Sequence, residues 1–163
     1  MIIMKILTIH YSYSGNSALI AELLKESANA DAIRLEVENE KRREGFLKYL
    51  FGGWQVVRRK KPALKPFTVN FDEYDLVVIG GPVWAGSPAP ALLSFLAKYP
   101  LKGKKVALFC CCASGDAGKA MGRMKALLKD DMIKGETVFQ NPLNDDKNEI
   151  AKKVGAWAKE LLK

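Results

Sequence analysis

Along the chain, runs of apolar and β-branched residues alternate with stretches whose apolar positions recur every three or four residues. The run Ile2–Tyr11 predicts a buried strand. Ser17–Ser27 follows as a helix with Ile20, Leu23 and Leu24 on one face. Ala32–Val37 predicts a shorter strand, and Asp75–Gly80, Leu-Val-Val-Ile between an acid and Gly-Gly, a central one. Pro88–Lys98 reads as a helix capped by Ser87, with Pro88 at its first position. Lys105–Cys112 is the next strand, Ala117–Lys129 the next helix, and Glu136–Gln140 a weaker strand. Asn148–Leu162 closes the chain with a stripe of Ile150, Val154, Trp157, Ala158 and Leu161.

Near-continuous apolar strands separated by helices mean a parallel sheet covered on both faces. The expected class is α/β, a three-layer, doubly wound parallel sheet of five strands. In such sheets ligands bind beyond the carboxyl ends of the strands. That directs attention to the segments after the first, third and fourth strands.

The first of these, Ser12-Tyr13-Ser14-Gly15-Asn16-Ser17, offers hydroxyls, a glycine for close approach and the free amides of a helix start. Together these suit a phosphate. The segment has no lysine, so it is not the phosphate loop of nucleotide hydrolases, and it contains no G-x-G-x-x-G. Ser, Gly and Asn are also ordinary turn formers. The second segment, Gly80 to Pro88, holds Trp84 between glycines and prolines. Trp84 is either a stacking platform for a planar ring or a lid folded on the core. The third, Ala113 to Gly118, is built of small residues, and Asp116 is a natural cap for the helix that follows.

These residues resemble the flavodoxin family. Ser12–Ser17 after a first strand is similar to its phosphate loop, [ST]-x-[ST]-G-N-[ST], and Gly81–Pro88 is similar to the G-x-P-x-W-x-G-x-P loop of a flavodoxin-like subgroup. The resemblance spans most of the chain outside Lys41–Pro66. It implies strand order 2-1-3-4-5 and non-covalent FMN. The FMN phosphate is then expected on Ser12, Tyr13, Ser14, Gly15, Asn16 and Ser17. The ring is expected between Pro82, Val83, Trp84, Ala85 and Gly86 on one side and Cys112, Ala113, Ser114, Gly115, Asp116 and Gly118 on the other. Three departures stand out: a basic chain where electron-shuttling flavodoxins are acidic, Ser17 in place of the commoner Thr, and no tyrosine in the third loop.

The 163 residues suit one domain, with an insert at about 39–70. The chain holds 26 Lys+Arg against 18 Asp+Glu, a net charge of +8. Nine of those cations lie within Lys41–Pro66 beside a single acid, Glu44, so the remainder is neutral. A single basic segment suggests a local docking surface for an acidic redox partner rather than general nucleic-acid affinity. Phe46, Leu50, Trp54 and Val57 recur within it at helical spacing. That stripe could cover one face of the sheet, bind a partner, pair two copies of the chain, or touch a membrane surface or nucleic acid.

Cys110, Cys111 and Cys112 are contiguous and lack any metal-binding spacing. They are expected as free buried thiols, with Cys112 placed for reactivity where its strand emerges. His10, the only histidine, is expected as a partly buried strand residue with one backbone hydrogen bond. No run is long and apolar enough to span a membrane, and no signal-peptide layout is present, which predicts a cytoplasmic protein. Electron transfer through bound FMN is the leading expectation. An NAD(P)H- or quinone-dependent flavin oxidoreductase of the same fold, or a flavin-free binding module using the insert, are the alternatives.

Overall fold

The structure, a computed structural model, describes residues 3–40, 61–128 and 132–163. Six strands among the described residues form the sheet: β1 (Ile6–His10), β2 (Asp31–Arg34), β3 (Leu76–Trp84), β4 (Ser87–Pro88), β5 (Lys105–Cys112) and β6 (Ile133–Gln140). The five long strands are parallel in the order β2-β1-β3-β5-β6, and β4 pairs antiparallel with β3. Without the two-residue β4, this is the expected 2-1-3-4-5. Among the described residues the α-helices are α1 (Asn16–Ala28), α2 (Pro90–Lys98), α3 (Gly118–Ala126) and α4 (Lys147–Leu161).

Alternation along the strands sorts the core into two layers. Leu7, Ile9, Val77, Ile79, Val106 and Leu108 pack with Leu92 and Phe95 of α2 and Met121 and Met124 of α3. Ile6, Val78, Phe109 and Phe139 pack on the opposite face with Ile20 and Leu24 of α1 and Val154 and Trp157 of α4. The cysteines obey the same rule. Cys110 and Cys112 face the first layer and Cys111 the second, all three free and buried. Burial, with the neighbouring sulfurs, pushes the Cys110 thiol up to about 12, and burial does the same for Cys111.

Between β3 and β5 the register sets Gly80 against Phe109, whose ring lies where a Cβ on Gly80 would stand, 2.2 Å away. Any larger residue at 80 collides with it.

Two expectations are corrected. Gly-Gly does not end the third strand: it runs on through Pro82 to Trp84 and turns at Ala85-Gly86 into β4. Both turn residues have positive φ, 48° and 70°, as a two-residue hairpin requires. Ser87 and Pro88 therefore belong to a strand, and Pro90, not Pro88, stands at the start of the helix, preceded by Ala89. At the far edge, β6 begins at Ile133 rather than Glu136.

The apolar stripe Phe46–Val57 lies outside the described residues. Downstream of it, Leu64 bridges to Val37, and Phe67 and Phe71 pack on Phe95 and Tyr99 over the first layer. This aromatic stretch thus packs against the first layer from the side of α2.

Candidate functional site

Because β1, β3 and β5 are parallel neighbours, the segments that leave their carboxyl ends meet at one edge of the sheet. Trp84 joins the first two. It stands edge-on to Tyr11 at 5.8 Å between ring centroids and to Tyr13 at 5.7 Å. Side chains join the second and third: Arg123 of α3 donates to the Ser87 hydroxyl at 2.7 Å.

The β1–α1 segment turns at Gly15, whose φ of 103° is costly for any residue with a side chain. Ser12 is buried, and its hydroxyl accepts from the Ala18 N–H at 3.1 Å, closing the first turn of the helix. Ser14 is exposed, and its hydroxyl accepts from Asn16 Nδ2 at 3.2 Å. Asn16 spends its oxygen on the Leu143 N–H at 2.9 Å. Ser17 is buried, and its hydroxyl lies near the Cys111 thiol without a regular hydrogen bond. Among the described residues, the backbone N–H groups of Ser14, Gly15, Asn16 and Ser17 donate to nothing.

Four unpaired amides at a helix start form a concave donor set with the positive end of the helix dipole behind it. A phosphate dianion is the chemistry that satisfies such a set. An FMN phosphate therefore fits here, by the donors present.

Trp84 is partly exposed on the hairpin β3–β4, and its two tyrosine neighbours fix its orientation. Tyr11 is itself held, because its hydroxyl donates to Glu40. Burial and that bond keep its phenol well above the usual range. Pro82 and Val83 are half-buried, while Ala85 and Gly86 form the exposed tip.

In the third segment, Ala113 to Asp116 are exposed, and Gly115 has a φ of 76°. Asp116 accepts from the Gly118 N–H at 3.0 Å, so it caps α3 from one position before the capping residue Ala117. Cys112 lies at the buried base of this loop, and its carbonyl accepts from the Asn141 N–H.

Three residues at this edge escape sequence reading. Arg34 donates to the Ser12 carbonyl at 2.6 Å because β2 pairs with β1 in the register His10–Arg34. Leu143 stacks against the Gly15 position, and Gln140 donates to the Ala113 carbonyl at 2.9 Å. Each depends on chain that arrives from elsewhere in the sequence. His10 also differs from expectation: it is buried, and its Nδ1 has no hydrogen-bond partner.

A flavodoxin-domain family model matches residues 54–154, more than half of the chain. No curated protein sequence matches it. Among solved structures, a candidate flavoprotein from Bacteroides eggerthii is similar over 96% of this chain and 97% of its own, at 23% identity and a TM-score of 0.79. A flavoprotein from Lactobacillus acidophilus, solved in complex with FMN, is similar over 91% and 97%, at 23% identity and a TM-score of 0.69. An FMN-dependent NADH-azoreductase from Bacillus anthracis covers 98% and 100%, at 13% identity and a TM-score of 0.52. At such identities these likenesses carry the fold.

Proposed function

The chain belongs to the flavodoxin domain family, and from there we propose that it binds FMN non-covalently and transfers electrons through it. The carrying observation is the set of four unpaired amides at residues 14–17, where the chain leaving β1 enters α1, next to Tyr13, whose ring meets Trp84 edge-on. The FMN complex and the FMN-dependent enzyme among the structural neighbours support the choice of flavin.

When bound, FMN supplies one- and two-electron redox chemistry, and the protein supplies position and electrostatics. The amides of Ser14 to Ser17 and the Ser14 hydroxyl hold the phosphate. Trp84 offers an apolar ring for stacking and keeps water from that side. The backbone of Ala113 to Gly118 offers polar groups to a ring edge. We assign partner recognition to the basic segment Lys41–Pro66, which would attract an acidic redox protein, with self-association of two copies as its competing use.

Titration of flavin-free protein with FMN tests this reading. A saturable complex with a shifted flavin absorbance band supports it, and absence of binding removes it. Steady oxidation of NADH or NADPH in the presence of a quinone would make the protein an oxidoreductase rather than a carrier.

A further inference from the structure

The carboxyl ends of β1 and β2 enclose a cleft that touches the three FMN-directed segments at Ser12 alone. It has a volume of about 440 Å³ and is lined by Tyr11 and Ser12, by Arg34 and Glu36 at the end of β2, and by Glu40 and Lys65. This lies within the roughly 300–1,000 Å³ typical of small-ligand sites. The lining is rich in charge of both signs. Arg34 spends one of its donors on the Ser12 carbonyl at 2.6 Å, which leaves the rest of its guanidinium available. Glu36 and Lys65 pair at 2.7 Å, and Glu40 accepts from the Tyr11 hydroxyl.

Three features narrow the ligand. Ser12, the residue that opens the proposed phosphate-binding segment, also lines the cleft, so the two adjoin at that residue. Glu36 stands just past β2, 21 residues after Gly15. At about that distance from their glycine turn, dinucleotide-binding sheets present an acid to ribose hydroxyls. Arg34 and Lys65 flank this acid as cations, the complement a phosphate needs. An incoming phosphate would draw Lys65 away from Glu36 and leave that carboxylate free to accept from a ribose.

We propose that this cleft binds the adenosine ribose-phosphate portion of an adenine nucleotide. Glu36 accepts from the ribose hydroxyls, and Arg34 and Lys65 hold the phosphate. Two sources carry this chemistry: the adenylate half of FAD, running on from the phosphate-binding segment, or a separate NADH or NADPH.

The test is calorimetric titration of the purified protein, flavin-free and FMN-loaded, with ADP and with 2′,5′-ADP. Wild type is compared with Arg34→Gln and Glu36→Gln, both at exposed positions, with circular dichroism confirming that the variants fold. Wild type binds at least one of the nucleotides, and each variant binds about tenfold more weakly, the equivalent of about 1.4 kcal/mol. Binding that persists in FMN-loaded protein identifies a separate dinucleotide. Binding only to flavin-free protein, with FAD tighter than FMN, identifies FAD. No heat from either nucleotide at millimolar concentration, or equal affinity in wild type and both variants, overturns the proposal. Failure of FMN to bind leaves the flavin-free titrations standing, so the two readings fail separately.

Discussion

The Leu143 backbone N–H donates to the Asn16 side-chain oxygen at 2.9 Å, across 127 residues of chain. Through this bond the turn after β6 holds the turn after β1, while Asn16 Nδ2 reaches back to Ser14. Asn16→Ala removes both contacts. The expected loss is about 0.5–1.5 kcal/mol of stability by urea unfolding, together with weaker FMN binding. Wild-type values for both would show that the turn holds its shape alone.

FMN should bind far more tightly than riboflavin, because the unpaired amides of Ser14 to Ser17 have no other anion to meet. Ser14→Ala should cost about 1–3 kcal/mol in FMN affinity and leave riboflavin affinity unchanged. Equal affinities for the two flavins in wild-type protein would remove the phosphate from this turn.

Trp84 should report the ring. Its fluorescence should fall on FMN addition, and Trp84→Ala should weaken binding by about 1–3 kcal/mol, the range for stacking on planar bases. Undiminished affinity in the variant would make Trp84 a cover over Tyr11 and Tyr13 and nothing more.

His10 should make the fold acid-sensitive. Burial, and then the Arg34 charge, hold its imidazole down at about 4, against a usual value near 6.5. Between those values the unfolded chain binds the extra proton, so stability is full above about pH 7, falls as pH drops through 6.5, and is lost below about 4. The contribution is about 3 kcal/mol. The stability difference between wild type and His10→Gln should shrink by that amount from pH 7 to pH 4, and a constant difference would refute it.

Neutralising Arg58, Arg59, Lys60 and Lys61 to Gln should leave FMN affinity nearly unchanged and slow electron exchange with an acidic partner. Steering of this kind changes association rates by roughly 10–10³-fold and fades with salt. Identical salt profiles for wild type and variant would deny the segment a partner.

How far the sequence discloses this architecture depends on whether a signal is local. The apolar run of β1 and the stripe of α4 are written in short-range periodicity, whereas the order of the five parallel strands comes with the family resemblance. The hairpin Trp84–Ser87 is not, because Gly-Gly-Pro reads as a stop and Ser-Pro as a helix start, while the pairing of β3 with β4 overrides both. The positions of residues 12–17 at the end of β1 follow from their motif, but their division into buried Ser12 and Ser17 and exposed Ser14 does not. Arg34 on the Ser12 carbonyl and the buried His10 with its unpartnered Nδ1 depend on the register of β2 against β1, which no single segment encodes.

The glycine at 80 meters the height of the segment after β3 against the segment after β5. A slip of β5 by two residues along β3 would set the Phe109 ring opposite Val78 or Pro82, where side-chain atoms already occupy the space it needs. It would also carry Cys112–Gly118 about 6–7 Å past Pro82–Gly86. Phe109 over Gly80 thus works as a vernier stop: a contact within the sheet keeps level the two segments proposed to flank the flavin.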